Sequence, residues 1–310
     1  MQPLSLNASV RPIQAAQARS RQRLITTEVA LLRGRENHHH SRPVNRQRAA
    51  LGGQPHYMTR WRSALLVLPT VRSWMSSAKT NDGLVTNLVR DGVVEQGGAV
   101  ERALRRLDRK NFAGAVATAF GRGIDDRTAY ADAPVPIGPR ATISAPHMHG
   151  RCLELLAPPL LAKAQSKVLD VGSGSGYLTA AFALLGPGID AYGVDRDAGL
   201  VALSVKNVAK DTNLQKELGD RIKFERRDGW TGLPDYGPYD AIHVGAAAET
   251  IPDALLDQLA RGGRMIIPVG GVNAAQALVQ VDRDSSGTLS QKTLFGVRYV
   301  ELVDERGTMA

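Results

Sequence analysis

Between Val168 and Thr179 the chain reads Val-Leu-Asp-Val-Gly-Ser-Gly-Ser-Gly-Tyr-Leu-Thr. An apolar run carrying an acid, Asp170, gives way to three glycines at alternate positions, and a helical pattern then opens. This spacing predicts a buried parallel strand, a tight turn and the first turn of a helix. Glycine carries an entropic cost in ordinary structure, but it lets a turn adopt positive φ and lets a ligand lie against bare backbone. The unpaired N–H groups and the dipole of the following helix favour a carboxylate or phosphate at such a place. A dinucleotide-binding turn needs Gly-x-Gly-x-x-Gly. Counted from Gly172, its third glycine falls on Tyr177, so that pattern fits poorly.

The segments beyond the turn alternate. Ile189 to Val194 reads as a strand closed by Asp195, nineteen residues after Gly176, and Gly199 to Ala209 as a helix. Ile222 to Glu225 and Tyr239 to Val244 read as strands, the first leading into Asp228-Gly229 and the second into Gly245-Ala246-Ala247-Ala248. Ile251 to Ala260 reads as a helix with Pro252 in its first turn and Gly262 past its end. Strands are then expected over Met265 to Val269, Ala277 to Val281 and Thr293 to Val300. Such alternation implies a mostly parallel central sheet flanked by helices, with ligands at the carboxyl ends of its strands.

Ahead of the turn, Thr80 to Leu88 and Gly97 to Leu107 read as helices, an N-terminal helical segment. Phe112 to Thr128, rich in glycine and alanine, reads as a loop, and Tyr130 to Gly138 as extended chain. Ser144 reads as the N-cap of a helix entered through Pro146 and running to Ala164.

The net charge of +9 over 310 residues would suggest a polyanion as partner. Residues 1–75, however, hold twelve Arg, no Lys and two acids, which leaves 27 basic and 28 acidic residues for the remainder. That neutral remainder argues for no nucleic-acid partner. Residues 1–72 show no persistent period and read as an extension ahead of a domain at 73–310. Being Arg-rich and acid-poor, the extension resembles an organellar transit peptide; a disordered tail or a mispredicted translation start are the other readings. The single cysteine, Cys152, allows no intramolecular disulfide and fits a reducing compartment. The longest apolar run near the start, Ala64 to Leu68, is too short for a membrane span. His147 and His149 do not share a helix face, the run His38-His39-His40 lies in the extension, and no metal site is expected.

Four further stretches decide the family: Ala-Thr-Ile-Ser-Ala-Pro-His-Met-His at 141–149, Asp228-Gly229, Pro-Tyr-Asp-Ala-Ile-His-Val-Gly-Ala-Ala-Ala at 238–248, and Gly-Gly-Arg-Met-Ile-Ile-Pro-Val-Gly at 262–270. The glycine turn with its downstream acid resembles the first motif of S-adenosylmethionine-dependent methyltransferases. Together with these stretches, and from about Trp74 to Asp304, the chain resembles the protein-L-isoaspartate (D-aspartate) O-methyltransferases.

The resemblance implies a Rossmann-like class I methyltransferase fold and S-adenosyl-L-methionine as cofactor. It implies methyl transfer to the free carboxylate of L-isoaspartyl and D-aspartyl residues, whose esters collapse to a succinimide that can reopen correctly. The expected partners are damaged proteins and peptides bearing isoaspartyl residues, with no nucleic acid and no membrane, and the chain is expected to act as a monomer. The expected compartment is the cytoplasm, or a mitochondrion or plastid if residues 1–72 are a transit peptide. By resemblance Ser144 is catalytic, orienting the acceptor carboxylate; a helix N-cap is its other reading.

On the cofactor side the resemblance assigns Gly172, Gly174 and Ser175 to the methionine end, Asp195 to the ribose hydroxyls and Arg196 to the adenosine. Asp228 and Gly229 fall to the adenine, and Ala141, Thr142, Ile143, Ser144 and His149 to the segment that closes over the cofactor. Three departures stand out: a longer stretch between Phe112 and Tyr130, Arg227 where the family usually has Gly, and Glu301 and Val303 where it commonly has Pro and Thr. A non-catalytic adaptor on the same fold, or a methyltransferase with another acceptor, remain as alternatives.

Overall fold

The structure is a computed structural model and describes residues 76–114, 123–138, 140–271 and 274–303. The 1–72 extension, with His38–His40, lies outside the described residues. Two helices, α1 (Asn81–Arg90) and α2 (Ala99–Arg106), open the described chain. Thr80 caps the first by accepting the Gly83 N–H, and Leu84, Val85 and Leu88 turn inward at helical spacing. The stretch expected to be a loop from Phe112 is partly helical. Phe112 and Ala113 close the short α3 (Lys110–Ala113), and α4 (Asp126–Ala129) is capped by Asp125. Residues 115–122 lie outside the described set.

A two-stranded antiparallel ribbon follows, β1 (Val135–Gly138) with β2 (Ala141–Ile143). The chain then enters α5 (Pro146–Leu161). Here the structure corrects the capping assignment. The N-cap is Ala145, with no side-chain hydrogen bond to the helix, and Ser144 lies one residue outside. Pro146 restricts the residue before it to extended conformations, and Ala145 takes ψ 142°.

The main sheet has seven strands in the order β5-β4-β3-β6-β7-β8-β9. These are β3 (Ser166–Val171), β4 (Ile189–Asp195), β5 (Ile222–Arg226), β6 (Tyr239–Val244), β7 (Leu259–Val269), β8 (Gln276–Arg283) and β9 (Leu289–Val297). The pairings from β5 through β7 are parallel, and β8 and β9 close the sheet as antiparallel strands. Successive side chains of a strand point to opposite faces. Val168 accordingly packs into the core that includes Phe182 and Leu153, while Leu169 and Val171 pack into a second core with Tyr239 and Leu255. A strand buried on both faces explains the continuous apolar reading.

Three longer helices join the strands: α6 (Tyr177–Leu184), packed on β3 and β4, α7 (Ala198–Ala209), packed on β4 and β5, and α8 (Thr212–Leu218).

A second correction concerns residues 251–260. Only α9 (Asp253–Asp257) is helical, Pro252 is its N-cap, and Leu259 already belongs to β7. The β6–β7 register steps from Tyr239↔Leu259 to Ala241↔Arg264, so the residues between Leu259 and Arg264 bulge out of the ladder. Glycine makes the bulge possible: Gly262 has φ +80°, and a Cβ on Gly263 would meet the Ala260 carbonyl oxygen at 2.8 Å.

Candidate active site

Strand β3 lies between β4, which follows it in the chain, and β6, which follows β5 at the far edge, so the order of the strands reverses beside β3. A crevice opens at the carboxyl ends of the strands at such a switch point. The glycine turn fills it. Gly172, Gly174 and Gly176 have φ +78°, +53° and +81°, conformations that cost an L side chain about 1–2 kcal/mol. The turn is fixed from both neighbours. Gly172 N–H and Ser173 N–H donate to the Val194 carbonyl at 2.8 and 3.0 Å, and Gly245 N–H donates to the Val171 carbonyl at 2.8 Å. From α7, Ser204 Oγ donates to the Gly174 carbonyl and Asn207 Nδ2 to the Ser175 carbonyl, both at 3.0 Å. Ser173 Oγ is buried and has no hydrogen-bond partner among the described residues.

Asp195 ends β4 beside this turn. Its Oδ2 accepts the Gly174 N–H at 3.1 Å and its Oδ1 the Asp197 N–H at 3.0 Å. Burial pushes its pKa above the usual carboxylate range, against the lowering effect of these two backbone hydrogen bonds. A partly desolvated carboxylate with lone pairs left over suits hydroxyl donors.

A cleft of about 1120 Å³ runs over the turn. Arg140, Ala141 and Thr142 form one wall; Gly172, Gly174, Asp195 and Arg196 form the floor; Gly229, Gly245 and Val300 to Val303 form the other wall, with Leu200 and Leu203 supplying apolar surface. Gly229 is needed for space: a Cβ there would lie 2.8 Å from both Leu302 Cδ1 and Val171 Cγ1. The donor set fits a nucleoside carrying an amino acid. Bare backbone and the α6 N-terminus can receive its carboxylate, Asp195 its ribose hydroxyls, and the leucines its base.

The family model described as protein-L-isoaspartate(D-aspartate) O-methyltransferase matches residues 79–307. The chain belongs to this family. Protein-L-isoaspartate O-methyltransferase 1 of Arabidopsis thaliana is 43% identical over 243 residues, which cover 76% of this chain and 96% of that protein. The Caenorhabditis elegans protein-L-isoaspartate O-methyltransferase is 43% identical over 231 residues, 74% of this chain and 95% of that one. Among solved structures, a Plasmodium falciparum chain aligns with a TM-score of 0.61 and 31% identity, covering 72% of this chain and 98% of that chain. It is described as a candidate protein-L-isoaspartate O-methyltransferase in complex with S-adenosyl-L-homocysteine.

Of the residues the family resemblance points to, Ala141, Thr142, Gly172, Gly174, Asp195, Arg196 and Gly229 come together on the cleft. The others lie behind or beside it. Ile143 is buried in the core. Ser144 is half-buried, and its hydroxyl has no hydrogen-bond partner among the described residues. Ser175 is buried under the turn. Asp228 is half-buried, and its Oδ1 accepts the Trp230 N–H at 2.9 Å. His149 is buried, stacked on Tyr177 with ring centroids 5.1 Å apart, and its Nδ1 has no partner. Desolvation holds the His149 pKa well below the ordinary imidazole value, and the charge of Arg109 adds to this, so the ring is neutral at pH 7.

Sequence reasoning passed over two sets of residues. Val300 to Val303 reach the cleft through Ala247, whose N–H donates to the Val300 carbonyl at 2.8 Å and whose carbonyl accepts the Leu302 N–H at 2.7 Å. Val303, left unassigned, is therefore a wall residue. Buried polar groups under the site were missed as well: Asp170 with His243, and Arg109. The sequence signal for Asp170 was an acid inside an apolar strand; Arg109 gave none. Among the described residues no group of three potential metal ligands occurs, and no helix is long and apolar enough to cross a membrane.

Proposed function

We propose that the cleft divides the family's reaction between a cofactor floor, built by the glycine turn and Asp195, and an acceptor-orienting segment, 141–144, with Ser144 as the catalytic residue. The chain is an S-adenosyl-L-methionine-dependent methyltransferase that esterifies the free carboxylate of isoaspartyl residues in damaged proteins. When bound, the cofactor supplies an electrophilic methyl group on a sulfonium. The acceptor carboxylate, with a pKa of about 4, is ionised at neutral pH, so the protein needs no general base.

What remains is alignment and exclusion of water. In-line attack requires the oxygen to be held on the methyl–sulfur axis, and Ser144 Oγ can do this by donating a hydrogen bond to the carboxylate. Since the two reacting groups carry opposite charge, apolar surface around them helps by displacing water that stabilises them separately. Asp195 would accept from the ribose hydroxyls, while Gly172 and Gly174, which carry no side chain, would let the methionine end lie against the backbone of the turn. The observation that supports the assignment of Ser144 is its place two residues beyond the cleft-lining Ala141–Thr142 segment, with a hydroxyl that does not cap the helix that follows.

The near-neutral charge beyond residue 75 supports protein and peptide substrates with no polyanionic partner, and we take the enzyme to act as a monomer. We place the enzyme in the cytoplasm, or in an organelle if residues 1–72 direct it there. The deciding experiment is transfer of labelled methyl to an isoaspartyl peptide and to its normal aspartyl twin. Transfer to the first alone is expected; equal transfer to both, or to neither, overturns the acceptor assignment.

A further inference from the structure

Arg109 is fully buried, yet among the described residues no acidic side chain hydrogen-bonds it. Its Nε donates to the Ala129 carbonyl at 3.1 Å. Its Nη2 donates to the Ala133 carbonyl at 3.4 Å and to the Ser144 carbonyl at 2.9 Å, and Nη1 has no partner. Its guanidinium carbon sits 5.7 Å from the centre of the Tyr177 ring. Tyr177 is the first residue of α6, next to Gly176 of the glycine turn, and stacks on His149 with its other neighbours Phe112 and Arg109 around it. Asp132 acts on it through its charge; the Asp132 Oδ1 is occupied by the His147 N–H at 3.0 Å and by His147 Nδ1 at 2.8 Å, and its Oδ2 has no partner among the described residues.

Burying a charge costs several kcal/mol unless it is paired or fully hydrogen-bonded. An apolar side chain would fill this volume without that cost. What the guanidinium does that no apolar group can do is hold three carbonyls from two separate stretches, 129–133 and Ser144, at fixed distances. One belongs to Ser144. The Ser144 carbonyl is part of the peptide linking it to Ala145, so this bond restrains the backbone at Ser144 and with it the direction of the Cα–Cβ bond that carries the hydroxyl. The same planar group rests on Tyr177, whose backbone continues the glycine turn. Arg109 therefore touches both the acceptor-orienting segment and the start of the helix that follows the turn, and it does not line the cleft.

We propose that Arg109 is a positioning residue for methyl transfer, setting the Ser144 hydroxyl at the distance from the glycine turn that in-line attack requires. The proposal rests on the assignment of Ser144 above. It predicts a specific split. Removing the guanidinium should slow the chemical step while leaving cofactor affinity nearly intact, because the cofactor's own contacts lie on Asp195 and the turn. A misplacement near 1 Å costs about a hundredfold in rate.

The test uses the full chain with Arg109→Met and Arg109→Lys. Calorimetric titration with S-adenosyl-L-homocysteine counts binding-competent molecules and gives affinity. Single-turnover transfer to a saturating isoaspartyl peptide then gives a rate per binding-competent site, so misfolded protein does not enter. The expected result is unit stoichiometry, affinity within about threefold of the parent, and a rate per site lowered more than about tenfold in the Met variant. The Lys variant, which keeps the charge and can donate to one or two of the carbonyls, should recover part of the loss.

A lowered melting temperature with an unchanged rate per site overturns the proposal and leaves Arg109 as a core residue. A loss of affinity as large as the loss of rate overturns it too, by placing the effect at the cofactor. If the Met variant does not fold, the Lys variant decides alone; if neither binds the cofactor product, Arg109 serves folding and the proposal fails. The parent enzyme is assayed in parallel on the isoaspartyl peptide and its aspartyl twin. Parent activity restricted to the isoaspartyl peptide, combined with normal rates in both variants, separates failure of this proposal from failure of the functional reading. Absence of parent activity overturns both.

Discussion

His243 Nδ1 lies 2.8 Å from Asp170 Oδ1, and both side chains are buried where β3 and β6 run side by side below the glycine turn. The other Asp170 oxygen accepts the Thr179 hydroxyl at 2.6 Å. One carboxylate thus ties β3, β6 and α6 together two residues before Gly172. Burial by itself lowers the pKa of His243, but its hydrogen bonds to Asp170 and Cys152 outweigh burial and raise it to about 10.

This sets a pH dependence of stability. An unfolded histidine titrates near pH ~6.5, so below that value both states are protonated and the pair contributes fully. Between there and pH about 10 the folded protein holds a proton that the unfolded chain has released. Stability must then fall as pH rises, with a slope of up to ~1.4 kcal/mol per pH unit from this group. The substitution His243→Asn keeps a donor for Asp170 but does not titrate. It should be less stable by about 3–5 kcal/mol at pH 7, since it leaves a buried carboxylate uncompensated, and its stability should vary less between pH 7 and 10. Urea denaturation across that range checks both; parallel curves for parent and variant would remove His243 as the titrating group.

Asp195→Ala should leave the fold intact and weaken cofactor binding. The carboxylate is held by two backbone N–H groups in a partly desolvated position on the cleft floor. Losing its charged hydrogen bonds to hydroxyls costs about 1.5–3 kcal/mol, roughly one to two orders of magnitude in affinity for S-adenosyl-L-homocysteine. Calorimetry returning the parent affinity would sink the assignment.

The glycines of the turn differ from the surface glycines in a measurable way. Gly92 has φ +69° and open space where a Cβ would go; Gly176 has φ +81°, and its Cβ would lie 2.9 Å from Ser204 Cβ and 3.0 Å from Phe224 Cζ. Gly92→Ala should therefore cost only the backbone term of about 1–2 kcal/mol. Gly176→Ala adds steric crowding worth a further ~1–3 kcal/mol and should also disturb cofactor affinity. Equal losses for the two variants in denaturant titrations would contradict the packing around Gly176.

What could be read from the chain follows the range of the forces involved. The β3–turn–α6 unit was legible because its signal is local: an apolar strand, glycines at positions 172, 174 and 176, and a helix start. The end of β4 at Asp195 was legible for the same reason. The stretch from Ile251 to Ala260 was misread because Leu255, Leu256 and Leu259 fall at helical spacing, whereas Leu259 is claimed by pairing with Tyr239, twenty residues away in sequence. Ser144 was misread as a cap because serine before proline satisfies the local rule, while Ala145 takes the cap position with no side-chain bond at all. The Asp170–His243 pair spans 73 residues and Arg109–Ser144 spans 35, and no local pattern encodes such distances.

Residues 1–72 hold none of the site residues, and the family match begins at residue 79. Among the described residues the first contact is that of Ser76, a buried residue whose Oγ donates to Asp91 at 2.8 Å. A chain starting at Ser73 should therefore turn over isoaspartyl peptide at the full-length rate. A soluble, folded but inactive product would give the extension a catalytic role.

The sharpest prediction concerns Ser144, because the structure separates two roles that the sequence left joined. Had it been a cap, Ser144→Ala would cost ~1 kcal/mol of stability. Ala145 is the cap and makes no side-chain hydrogen bond to the helix, so Ser144→Ala should change stability by no more than the ~0.5 kcal/mol typical of a neutral substitution. If the hydroxyl orients the acceptor carboxylate, the same change should lower kcat at least about tenfold, since alignment is the main task left to the protein, with cofactor affinity unchanged. Ser144→Thr keeps the hydroxyl and adds one methyl, and should retain part of the rate. Melting curves and single-turnover rates on the two variants give the answer. A normal rate in the Ala variant removes Ser144 from catalysis and, with it, the purpose assigned to the Arg109 hydrogen bond behind it.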